Sequence, residues 1–152
     1  MLIMTSPYDL HSGLGYKLTI AARTNNAGFE EALSGLGLTR QMWCVLVAVG
    51  EQSITSPSAI ADYIGIIRPA ASRTLKQIEK AGFLRRETGA NDKRTTTVHL
   101  TDEGRARLSR SMPLAMDTRK AVNAALSQSE QAHLAALLEK LTTSLQATAT
   151  GV

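Results

Sequence analysis

The chain has 152 residues, 43% of them hydrophobic and 20% charged, which suits one folded unit and argues against both general disorder and two independent enzymatic domains. Its net charge is +4, but the charge is uneven: residues 68–110 hold 11 Lys/Arg against 5 acids, residues 1–67 hold 3 against 5, and residues 111–152 hold 3 against 3. A basic segment of this kind points to a polyanionic partner, and nucleic acid ranks ahead of a membrane because no basic amphipathic helix with large apolar anchors is present.

Six aromatic residues predict a helical core of Leu and Ala rather than a β-sandwich. A single Cys cannot form an intrachain disulfide, consistent with a reducing compartment. The start "MLIMTSPYDLHSG" lacks the cationic head and apolar run of a signal peptide, and the longest apolar run, Met42 to Val49, is far below the ~18 residues of a membrane span. A cytoplasmic protein with no membrane partner is therefore expected.

In chain order, Ser6, Pro7 and Asp9 read as the cap and first turn of a long helix. Leu10, Leu14, Leu18, Phe29, Leu33 and Leu36 recur along it at near-helical spacing, and Gly35 and Gly37 mark its end. Thr39 caps a second helix, apolar nearly all round and ending at Gly50, which predicts core. Ser56-Pro57 opens a short third helix over residues 58–64 that stops at Gly65. Arg68-Pro69 opens a fourth, running toward Gly82. Two short helices with so tight a connection form a helix-turn-helix candidate. Residues 84–88 and 95–100 read as strands joined by "GANDKR", a β-hairpin with a charged tip. Thr101 followed by two acids caps a further helix, which Pro113 is expected to break or restart. Ser127-x-x-Glu130 is a capping box ahead of Leu134, Leu137, Leu138, Leu141 and Leu145, and "ATATGV" reads as a fraying tail.

The fourth helix carries the chemistry. At roughly 100° per residue, Ala71, Leu75 and Ile78 share one face while Pro69, Ser72, Arg73, Lys76 and Lys80 share the other. Such a helix fits a major groove about 12 Å wide. Arg68 and Arg73 are placed for base edges, Ser72 for close approach, and Lys76 and Lys80 for phosphates. The hairpin tip would put Lys93 and Arg94 beside the same duplex, with Arg94 in the adjacent minor groove and Asp92 orienting it or closing an Asx-turn.

At these residues the chain resembles the MarR family of bacterial winged-helix regulators. The matching pieces are "IADYIGIIRPAASRTLKQIEKAGFLRR" (Ile60 to Arg86), the "NDKR" tip with Asp92 and Arg94, "LTDEGRARL" (Leu100 to Leu108) and "LTRQMWCVLVAV" (Leu38 to Val49). The resemblance implies a mainly α fold with a small β-hairpin wing, in which residues 38–110 form the winged helix-turn-helix and residues 1–37 and 111–152 supply dimerisation helices. It further implies a homodimer on a pseudo-palindromic operator, most often a repressor, with a small-molecule effector as a further partner and no cofactor. Where relatives often carry Ser or Thr just ahead of the recognition helix, this chain has Ile67.

Dimerisation also follows from the apolar stripes. Leu10, Leu14 and Leu18 on one helix, and Leu134, Leu137, Leu138, Leu141 and Leu145 on another, exceed what a winged helix of some 70 residues can bury alone. Tyr16, Phe29 and Trp43 belong either to the core or to a ligand pocket between the dimer helices and the winged unit. Cys44 lies in an apolar helix with no cation close in sequence, which predicts a buried, unreactive thiol. His11, His99 and His133 lack metal-ligand spacing, and no nucleophile elbow, zincin or Walker motif is present, so neither a metal site nor an enzyme is expected. A winged helix can also serve as a protein-interaction module, or as an architectural DNA binder without ligand response.

Overall fold

The computed structural model describes residues 7–89 and 96–150. A short 3-10 turn (Leu10–Ser12) precedes α1 (Leu14–Ser34), α2 (Arg40–Gly50), α3 (Pro57–Ile64) and α4 (Arg68–Lys80). A hairpin of β1 (Leu84–Thr88) and β2 (Thr96–Leu100) follows, then α5 (Asp102–Ala124) and α6 (Gln128–Thr150). The chain divides into two compact units, residues 1–115 and 116–152, with the boundary inside α5.

The first helix begins later than the sequence suggests. Asp9 accepts from the backbone N–H of His11 at 3.0 Å and its carbonyl accepts from the Ser12 hydroxyl at 2.8 Å, a local arrangement that competes with helix propagation. Gly13 is then extended, and α1 starts at Leu14. The cap expected at Ser6 lies outside the described residues. Pro113 does not break α5, which runs straight through it. The residue sits on an exposed face, where water can satisfy the Ser109 carbonyl that proline leaves without a partner. The tail read from Ala147 onward continues α6 as far as Thr150; the last two residues lie outside the described set.

Unit 1 is assembled around α2. Thr39 caps it by accepting from Met42 N–H at 3.1 Å, and Met42, Val45, Leu46, Ala48 and Val49 are buried. They pack with Phe29 and Leu33 of α1, Ile60 of α3, Leu75 and Ile78 of α4, and Val98 and Leu100 of β2.

The helix-turn-helix stops are sharp because both end in a glycine with left-handed backbone. Gly65 has φ 72°, and Ile66 N–H reaches back to the Ala61 carbonyl at 3.0 Å. Gly82 has φ 80°; its N–H bonds Glu79 and the Phe83 N–H bonds Ile78, which pairs two orphan carbonyls and tucks Phe83 against the core.

The hairpin is fixed to this unit at the middle of β2 and at its base. Val98 N–H donates to the Thr55 carbonyl ahead of α3 at 2.9 Å. At the base, Thr101 N–H donates to Phe83, its hydroxyl donates to the Gly82 carbonyl, and the same hydroxyl accepts from Gly104 N–H at 3.0 Å to cap α5. α5 approaches so closely that a Cβ on Gly104 would stand 2.0 Å from the Phe83 carbonyl oxygen. One turn later Arg107 donates to the Leu36 carbonyl at 2.6 Å and to Glu103 at 2.7 Å, with its guanidinium 5.2 Å from the Phe83 ring centre. It ties the end of α1 to the turn after α4.

In unit 2, the capping box forms as written: Ser127 N–H donates to Glu130 at 2.8 Å and Glu130 N–H returns to the Ser127 hydroxyl at 3.3 Å. The Ser127 N–H, and after it the Ser127 hydroxyl, which also donates to the carboxylate at 2.8 Å, hold the Glu130 carboxyl below the usual glutamate range.

Candidate nucleic-acid interface

The fourth helix has the polarity read from its sequence. Ala71, Thr74, Leu75 and Ile78 are buried, while Arg68, Pro69, Ser72, Arg73, Lys76 and Lys80 are exposed. Thr74 enters the core because its hydroxyl is satisfied within the helix, donating to the Ala70 carbonyl at 3.0 Å. Among the described residues, no acid lies within ion-pair distance of Arg68, Arg73, Lys76 or Lys80. Four cations thus stand along one helix without an ion pair among the described residues, and the acid of that helix, Glu79, is paired with Arg86. Ile67 occupies the cap position and makes no side-chain cap, while its carbonyl accepts from the Ala70 and Ala71 N–H groups at 3.0 and 3.1 Å.

Beside this helix stands a cation that periodicity could have flagged. Arg86 alternates with Leu84 on β1 and pairs across the hairpin with buried Val98, so it faces inward. Its Nε lies 3.1 Å from Glu79, off the line a hydrogen bond needs, and Nε and Nη2 are buried without a partner. A small cleft of about 260 Å³ between α3, α4 and β1 brings Arg86 next to Arg68 and Ser72. A charged residue at an inward position of a two-residue alternation is the signal that reading for exposed cations passes over.

Asp92, Lys93 and Arg94 lie outside the described residues. The strands leading to them pair in the expected register, from Leu84 opposite Leu100 to Thr88 opposite Thr96.

The remaining candidates separate. Phe29 and Trp43 meet edge to face, ring centres 4.9 Å apart, whereas Tyr16 packs against His11 at 4.7 Å near the other end of α1. The Trp43 indole N–H is buried with no acceptor. Cys44 is half-buried, and desolvation raises its thiol pKa. Arg40, one turn back on α2, is a nearby cation after all and pulls the other way, but burial dominates. Among the described residues, no group of three or more His, Cys, Asp or Glu could hold a metal ion, and no helix is long and apolar enough to cross a membrane. Leu10, Leu14 and Leu18 are exposed, as are Leu134, Leu137, Leu138 and Leu145 in unit 2; Leu141 is half-buried.

Residues 36–95 match the model of the MarR family. Among solved structures, a mutant of MarR from E. coli complexed with operator DNA is 25% identical, with 90% of this chain and 99% of that chain covered and a TM-score of 0.78. The regulator MOSR of M. tuberculosis, in complex with DNA, is 27% identical, with coverage of 88% and 98% and a TM-score of 0.72. BpsR of Bordetella bronchiseptica shares the fold at 23% identity, 90% and 98% coverage and a TM-score of 0.80. The matched segment spans the helix-turn-helix whose polarity is described above, and over those residues the chain is similar to the MarR family of transcriptional regulators.

Proposed function

We propose that this chain is a sequence-specific, DNA-binding transcriptional regulator of the cytoplasm, working as a homodimeric repressor and released from its operator by a small-molecule effector. It is not an enzyme in this reading. The observation that carries it is the polarity of α4: Ala71, Leu75 and Ile78 anchor it in the core, and Arg68, Arg73, Lys76 and Lys80 project outward without acid partners. Arg73 reads a guanine edge through two parallel donors, Ser72 permits close approach, and Lys76 and Lys80 hold phosphates. The wing tip, Asp92 to Arg94, contacts the flanking minor groove. Both the E. coli and the M. tuberculosis relatives are described bound to DNA.

The dimer is supported by the leucines left in solvent. Stripes at Leu10, Leu14 and Leu18 and at Leu134 to Leu145 would be an association hazard in a monomer. A two-fold pairing covers them and sets two recognition helices about 34–36 Å apart, one helical turn of DNA. Phe29 and Trp43 form the wall of the effector pocket in this reading, where a ligand acceptor would satisfy the Trp43 indole N–H, and Tyr16 lies apart from it toward the start of α1.

Selection of bound sites from a random duplex pool tests the reading. An inverted repeat with half-sites about one turn apart is expected. Recovery of no preferred site would point instead to an architectural binder, and failure to retain any duplex to a protein-interaction module.

A further inference from the structure

The tip of α4 is apolar where the start of a helix ordinarily favours an anion. Ile67 stands at the cap position, 70% exposed, on extended backbone with φ −67° and ψ 145°. Its side chain has no oxygen to cap the helix, and its carbonyl takes the Ala70 and Ala71 N–H groups at 3.0 and 3.1 Å. Pro69 has no N–H to offer. Within the first turn, Arg68 to Ala71, Arg68 alone has an N–H that is neither missing nor turned back to the Ile67 carbonyl.

A lone exposed isoleucine means little on most surfaces. This one ends the helix whose outward face is cationic: Arg68 follows it directly and Arg73 stands beyond it, both exposed and without an ion pair among the described residues. Whatever covers Ile67 must therefore bring negative charge to its neighbours and an apolar group to its side chain. The major groove of a duplex supplies both, with phosphates along its edges and the 5-methyl group of thymine on its floor. The residues at the start of a recognition helix are the ones that reach base edges.

From this placement we propose that Ile67 is a specificity-determining residue that packs on a thymine 5-methyl group, so that each operator half-site carries an A·T pair at the base step met by the start of α4. The inference rests on the DNA-reading role proposed for α4. A Ser or Thr at this position would offer a hydroxyl to the helix backbone or to a phosphate, and neither contact reads a base. The isoleucine gives up both and gains a contact that distinguishes thymine from the other three bases.

The test uses the full chain and the duplex recovered by selection from a random pool. Each thymine of a half-site, on either strand, is replaced in turn by deoxyuridine, which deletes the methyl group and leaves base pairing intact. Fluorescence anisotropy should find a position in each half-site where the replacement weakens wild-type binding about fourfold, the scale of one buried methyl group, and about fifteenfold when both half-sites carry it. Ile67→Ala and Ile67→Ser, at an exposed position, should keep the circular dichroism spectrum and bind the thymine and deoxyuridine duplexes equally there. That loss of discrimination is a coupling between side chain and methyl group which a purely structural role for Ile67 would not produce. A selected half-site with no A·T pair, a scan flat at every thymine, or a methyl dependence that persists in both variants would overturn the proposal while leaving α4 as the DNA-reading helix. Failure of the wild-type chain to retain any duplex would overturn both.

Discussion

At the residue scale, the chemistry separates into side chains that face solvent and side chains that cannot move. Arg73 belongs to the first group. Arg73→Ala should cost ~1–3 kcal/mol in operator binding and relax preference at one base position, whereas Lys80→Ala should weaken all sequences alike and flatten the salt dependence by about one charge. Competition gel shifts with single-base operator variants separate the two. Gly104 belongs to the second group. Gly104→Ala sets a methyl group 2.0 Å from the Phe83 carbonyl, a backbone atom held in place by Thr101, so α5 or the α4 turn must shift. The expected loss is ~2–4 kcal/mol in urea unfolding, on the scale of overpacked buried sites. An alanine variant as stable as wild type would show that this approach is looser than its geometry. The exposed cations of α4 were legible in the sequence because an amphipathic helix displays its polarity in a 3.6-residue period. Arg86 was passed over although its alternation with Leu84 carries the signal; what no local pattern encodes is the approach of Glu79 to it.

At the element scale, the starts and stops written locally were readable: Thr39 and Thr101 as caps, Gly65 and Gly82 as left-handed ends, Ser127 with Glu130 as a reciprocal box. What failed was competition between neighbouring signals. Asp9 satisfies its own turn and delays α1 to Leu14, and α5 carries Pro113 because packing on either side outweighs one lost hydrogen bond. Arg107 shows the same limit, since its reach to the Leu36 carbonyl spans 71 residues and no local pattern encodes it. The capping box gives a pH prediction. The pKa of Glu130 is lowered in the folded state, so its contribution is present above the ordinary glutamate pKa and is lost as pH falls through the lowered value. Melting temperatures of wild type and Glu130→Gln should differ at neutral pH and converge in acid. A gap of constant size down to acid pH would rule out the carboxylate as its source.

At the scale of the whole molecule, two surfaces ask for partners: leucines on α1 and α6, and cations on α4. Replacing Leu137 and Leu138 together with Asp should convert the dimer to a monomer in sedimentation velocity, and should weaken operator binding by removing the second half-site. A double variant that still sediments as a dimer would place the interface elsewhere. For a dimer neutralising about 6–10 phosphates, wild-type affinity should drop about 10³–10⁵-fold between about 50 and 200 mM salt. The most direct measurement compares wild type with a variant carrying Arg73→Glu, Lys76→Glu and Arg94→Glu, by fluorescence anisotropy on the selected duplex, with circular dichroism confirming the fold. The reversed variant is predicted to lose detectable binding while remaining folded and dimeric. Binding that survives the reversal at comparable affinity would contradict the assignment of the outward face of α4 to DNA.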